Sequence, residues 1–126
     1  MRARWVVFLV VASNLITLAI VFGVRAYDEH YRFDIAKWRA NAPGDCNDNY
    51  RRQMVEDLSE NYLRVGMSPG NVRWLLGPPE YVETFRGNRQ WIYDTGVIVS
   101  DCLSLVVRFG REGRRVTEWH HPFLDD

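Results

Sequence analysis

Near the end of the chain two histidines stand side by side, His120 and His121. On a strand, successive side chains point to opposite faces, so the pair cannot grip one metal ion between them. Neither is expected to act as a ligand or a general base. Three serines, Ser68, Ser100 and Ser104, have no histidine and carboxylate placed by any triad motif. The acidic residues are scattered, without the facing pair that glycoside hydrolysis uses. Thiols are supplied by Cys46 and Cys102 alone, too few to build a metal centre, so the two form a candidate disulfide if the domain lies in an oxidising compartment. Closing a loop of that length would stabilise the fold by about 4 kcal/mol; the alternative is two unrelated thiols. No catalytic residue, metal or cofactor is expected, and the chain is not expected to be an enzyme.

Binding chemistry rests on arginine. Of sixteen basic residues Lys37 is the lone lysine, and sixteen acidic residues cancel them, so a nucleic-acid surface is not expected. Arg86 and Arg89 flank a predicted hairpin tip and would oppose each other, a like-charge pair that an anion would relieve. With Arg108, Arg111, Arg114 and Arg115 they form a candidate basic face for a partner's carboxylates or anionic lipid. The plainer alternative is a solvated arginine surface interleaved with Glu83, Glu112 and Glu118. The segment VGMSPGNVRWLLGPP, Val65 to Pro79, has the glycine density of a phosphate loop, but a helix precedes it and no lysine is present.

The elements that must position these residues begin with an uncharged stretch, Trp5 to Val24, twenty residues long. As a helix it spans roughly 30 Å, enough for a bilayer core. Arg2 and Arg4 before it predict a cytoplasmic N-terminus and an extracytoplasmic remainder. A signal peptide cleaved near Ala26, releasing the protein to the periplasm, is the alternative. The expected organisation is a transmembrane signal anchor at 1–25, a juxtamembrane helix and linker at 26–47, an α+β domain at 48–121 and a tail at 122–126.

Tyr27, Tyr31, Ile35 and Trp38 recur at helical spacing, either as a stripe at the lipid headgroups or packed on the domain. NAPGDCNDN, residues 41–49, is the linker. Tyr50 to Tyr62 reads as a helix burying Met54, Val55, Leu58 and Tyr62, with Arg51, Arg52, Glu56, Asp57 and Glu60 outside and an Arg52–Glu56 pair on its surface. In the glycine-rich segment Ser68 is the N-cap, Pro69 the first helical residue, and Val72, Leu75 and Leu76 the buried face. Gly77 takes the left-handed stop before Pro78 and Pro79. Beyond them EYVETFR and RQWIYD flank a turn at Gly87-Asn88, setting Val82 opposite Tyr93 and Thr84 opposite Trp91. Leu103 to Phe109 alternates as a strand after a turn at Ser100-Asp101. A bulge near Gly96 then sets Tyr93 against Val107 and Trp91 against Phe109. A last strand covers Arg115 to His120.

This order of parts resembles the SmpA/OmlA family, the BamE-like domain of the bacterial envelope. The resemblance covers about residues 50–120 and rests on Gly66, Met67, Val72, Leu76, Gly77 and Pro79, then Trp91 and Tyr93, then Leu105, Val107, Phe109 and Gly113. It implies two short helices packed on a three- to four-stranded antiparallel sheet. It also implies a non-enzymatic domain that binds other envelope proteins, in the family's case supporting insertion of outer-membrane β-barrels, with affinity for anionic lipid. The chain departs from the family in lacking a lipidated cysteine after its apolar stretch, so a retained helix would hold it at the inner membrane. The domain is also similar to secreted β-lactamase inhibitor proteins, which duplicate the unit that occurs once here. A secreted or anchored inhibitor or structural protein of that fold, or a small enzyme, are the alternative functions.

Overall fold

The computed structural model describes residues 31–41, 46 and 49–124. The apolar stretch 5–24, the cleavage alternative near Ala26 and the acidic end Asp125-Asp126 lie outside the described residues. Among the described residues no helix is long and apolar enough to cross a membrane. A compact unit begins at Arg32. It contains α1 (Ile35–Ala40), a 3₁₀ turn (Arg51–Met54), α2 (Val55–Asn61) and α3 (Pro69–Leu76). The strands β1 (Tyr81–Phe85), β2 (Asn88–Ile98), β3 (Asp101–Phe109) and β4 (Val116–His120) follow, paired antiparallel in the order β1-β2-β3-β4. The fold is α+β, three short helices packed on a four-stranded meander.

The first helix is not the continuation of a longer one. Asp34 is extended at φ −138° and its carboxylate accepts the Lys37 N–H at 3.0 Å, a side-chain cap that starts α1 afresh. Phe33, just before it, is buried and donates its N–H to Asp57 at 2.7 Å. Trp38 is fully buried, its indole N–H donating to the Leu76 carbonyl at 3.1 Å. The expected juxtamembrane segment therefore supplies core residues, and the domain boundary moves from residue 48 to Arg32.

In the next helical stretch Met54, Val55 and Leu58 are buried as expected, but Tyr62 is partly exposed against the Phe33 ring. Arg51, placed on the outside by its charge, is buried. Its position explains this: residues 51, 54, 55 and 58 follow the i, i+3, i+4, i+7 pattern of one face. Arg52 does not pair with Glu56; its guanidinium donates to the Asn49 carbonyl at 3.2 Å.

In α3, Ser68 Oγ accepts the Asn71 N–H at 3.2 Å, Pro69 opens the helix, and Val72, Leu75 and Leu76 are buried. Gly77 ends it at φ 77° and ψ −174°. This is not the left-handed helical conformation expected but the extended region at positive φ, which is nearly closed to any residue with a Cβ. The extended ψ turns the chain away toward Pro78 while the Gly77 N–H still caps Arg73 O at 2.7 Å. Gly66, at φ 93°, donates its N–H to Val116 O, and Val116 N–H returns to Met67 O, both at 2.8 Å. The loop before α3 is thereby fastened to β4.

Both hairpins turn one residue earlier than expected. Arg86 and Gly87 form the first turn at φ 51° and 80°. These are the two positive angles of a type I′ turn, in which glycine prefers the second place. Val82 consequently faces Trp91, and Thr84 faces Arg89. Val99, at φ 61°, and Ser100 form the second turn, with Ile98 opposite Asp101. The bulge lies between Asp94 and Gly96, and beyond it Tyr93 faces Leu105 and Trp91 faces Val107 rather than Val107 and Phe109. These inward side chains, with Phe109 and Val116, meet the helices in one core.

Candidate functional site

The most constrained polar group in the domain is Arg51. Its Nε donates to the Trp38 carbonyl at 2.8 Å, and its guanidinium lies 4.8 Å from the centre of the Trp38 ring. Nη1 reaches Glu80 Oε1 at 2.5 Å and the Asp94 carbonyl at 3.3 Å. Both side chains of this ion pair are 3% exposed. Burying two charges is repaid only when geometry and extra hydrogen bonds are good, and here two carbonyls and an aromatic face supply them. The remaining oxygen, Glu80 Oε2, is buried without a hydrogen-bond partner among the described residues.

Asn49 holds this arrangement in place. Its side chain donates to Asp94 O at 2.6 Å and accepts the Arg51 N–H at 3.0 Å. The bulge permits the approach: Gly96, at φ 118°, lies so close that an added Cβ would overlap the Asn49 carbonyl oxygen and Arg52 Nη1. Cys46 and Cys102 are bridged, so the segment carrying Asn49 is also tied covalently to the start of β3.

A cleft of about 330 Å³ opens beside this network, lined by Arg39, Arg51, Arg73, Leu76, Gly77 and Pro78. Beneath it Tyr93 donates to the Gly77 carbonyl at 2.9 Å. Burial and the nearby Glu80 charge push the Tyr93 phenol far above its ordinary value, against a smaller downward pull from Arg73 and Arg51. Arg39 donates to the Trp74 carbonyl, and the Arg73 guanidinium sits 5.7 Å from the Trp91 ring centre. Among the described residues Arg51 has an acid partner, whereas Arg39 and Arg73 have none. The cleft is therefore electropositive with an apolar floor, suited to an anion.

The six arginines expected as one basic face are not brought together on one. Arg86 lies in the first turn over the Phe85 ring, and Arg89 faces Thr84 rather than Arg86. Arg108 lies on the sheet face opposite the helices, paired with Glu118 and stacked on Phe85. It belongs to a row crossing all four strands, in which Gln90 donates to Glu83 at 3.3 Å and Arg108 donates to Gln90 at 3.4 Å. Arg114 pairs with Glu112, and Arg115 donates to Gly66 O at 3.0 Å. The meander does place the turns holding Arg86 and Arg111 at the same end of the sheet.

His120 is exposed beside Glu118 at 3.3 Å, whereas His121 is buried. The Nδ1 of His121 accepts the Phe123 N–H at 3.1 Å, which leaves the proton on Nε2, 2.8 Å from Thr95 Oγ1. The imidazole thus donates to the hydroxyl instead of taking its proton, the wrong sense for activating a nucleophile. Ser68 is the helix cap, Ser100 lies in an exposed turn, and Ser104 donates to Asp94 at 3.4 Å. Among the described residues no group of three or more His, Cys, Asp or Glu side chains could hold a metal ion.

The sequence reading missed Arg39, Arg51, Arg73 and Glu80. For Arg51 the signal was its place in the apolar stripe; for the others, brought together from α1, α3 and the entry to β1, no local pattern exists. No family model, curated protein or solved structure matches the chain.

Proposed function

We propose that this chain is a membrane-tethered, extracytoplasmic protein-binding domain of the BamE-like type, held at the inner (cytoplasmic) membrane through residues 5–24. It serves as an accessory in assembling the envelope or outer membrane and is not a catalyst. The observation that carries this reading is β1. All five of its residues are exposed, Tyr81, Val82 and Phe85 among them, and it is one of the two edge strands of the sheet. Natural sheets blunt such edges with lysine, proline or a bulge; an apolar, regular edge is a template for a partner's strand.

Two further features support the reading. The disulfide suits an oxidising compartment. The succession of a helix, a Gly-Met-Ser turn into a short helix closed by Leu-Gly-Pro, and a hairpin carrying Trp91 and Tyr93 agrees with the family resemblance.

The test is a photoreactive residue in place of Val82, introduced into the full chain in native envelopes, with the captured proteins identified. Barrel-assembly subunits are the expected product. Capture of inner-membrane proteins alone would remove the barrel-assembly role, and no capture at all would remove the β1 edge as a binding surface. Intact-mass measurement of the membrane-extracted protein should retain residues 1–25; their loss would replace the tether with a cleaved signal.

A further inference from the structure

The cleft beside Gly77 and Pro78 carries more than its shape. We infer that it docks an acidic, partly apolar segment of a partner protein, a carboxylate entering between Arg39 and Arg73 while an adjacent apolar side chain meets Trp74. This deepens the binding-domain reading and rests on it.

Charge complementarity selects the occupant. Arg51 is neutralised within the domain by Glu80, whereas Arg39 and Arg73 present guanidinium groups with no acid partner among the described residues. Neither is a loose surface side chain. Arg39 is fixed by the Trp74 carbonyl and Arg73 by the Trp91 ring, so less side-chain entropy is lost when an anion binds. Guanidinium forks match carboxylates in plane, and the apolar floor of Leu76 and Pro78 strengthens each contact by excluding water.

Trp74 adds the second component. It follows Arg73 in α3 and is 68% exposed, on a helix whose buried face is already complete with Val72, Leu75 and Leu76. Trp74 lies outside the core, and tryptophan beside arginine is the composition of interface hot spots. At about 330 Å³ the cleft lies at the small end of ligand pockets, room for a side chain and its neighbour.

The full chain, in a non-ionic detergent, should be titrated against fluorescein-labelled hexapeptides of leucine alternating with glutamate or with glutamine, followed by anisotropy. The glutamate peptide is expected to bind about ten-fold tighter or more, a difference lost with rising salt. Arg39→Gln, Arg73→Gln and Trp74→Ala should each weaken it several-fold while far-UV circular dichroism keeps the folded signature of the parent. Arg111→Gln, on the β3–β4 turn, should bind as the parent does. Equal affinity for the two peptides, or undiminished binding by Arg39→Gln and Arg73→Gln, would overturn the inference. So would arginine-dependent binding of anionic phospholipid vesicles with no peptide binding. Capture through Val82 in envelopes is independent of these outcomes, so the cleft can fail while the binding-domain reading stands.

Discussion

A single buried guanidinium organises the centre of this domain, and its energetics are asymmetric. Arg51→Met removes one partner of a buried pair and leaves the Glu80 carboxylate without its counter-charge, an expected loss of about 3–5 kcal/mol. Adding Glu80→Leu to the same chain removes the stranded charge, so the double variant should recover most of that loss; urea denaturation of the three proteins measures the difference. Two glycines are equally specific. Gly77→Ala should cost about 1–3 kcal/mol from backbone strain alone, since an added Cβ would meet only the Arg39 side chain at ordinary contact distance. Gly96→Ala adds an overlap with the Asn49 carbonyl to a φ of 118°, so it should be the more damaging of the two in the same assay. The need for glycine at position 77 is legible in the sequence, because a helix end before two prolines announces it. Position 96 is only half legible: strand pairing suggests a bulge there, but the approach of residue 49 comes from tertiary structure. For Arg51 charge and spacing point in opposite directions, and spacing prevails. Periodicity alone places it inward; nothing local reveals the carbonyls that make burial tolerable.

Among the elements, the hairpins separate what periodicity determines from what turn chemistry determines. Moving a two-residue turn by one position changes each cross-strand partner by two residues, and side chains two apart lie on the same face. Trp91, Tyr93, Leu105, Val107 and Phe109 therefore face the core under either register, although their expected partners were wrong. Facing follows from alternation over a whole strand, whereas register hangs on one pair of φ values at the turn. The strain in the second turn is exposed to test. Val99 is 96% exposed and β-branched at φ 61°, so Val99→Gly or Val99→Asn should stabilise the domain, by about 1 kcal/mol, as a rise in the thermal midpoint. A fall would show that the turn takes another conformation. Helix α1 gives the reverse lesson. Its aromatic spacing fits a lipid interface as well as a protein core, and only the Asp34 cap and the indole bond to Leu76 distinguish them.

At the scale of the molecule, the row across the open face couples stability to acid. Partial desolvation raises the Glu118 pKa, but the hydrogen bond and charge of Arg108, with His120 nearby, outweigh it and hold the group below its ordinary 4.5. A depressed carboxylate contributes stability that is complete above the unfolded pKa and is lost as pH falls through the folded one. Thermal midpoints should therefore decline as the pH drops below about 4.5, and Glu118→Gln should decline less steeply over that window. The disulfide has a consequence of another kind. It joins residues 56 apart in sequence, so α2, α3, β1 and β2 all lie within one covalent ring. A protease that cuts any loop inside that ring leaves a single molecule, with β3 and β4 still attached to the N-terminal segment; only reduction lets the pieces part. Tension between the N-terminal segment and the last strands likewise passes through the bridge, bypassing α2, α3, β1 and β2.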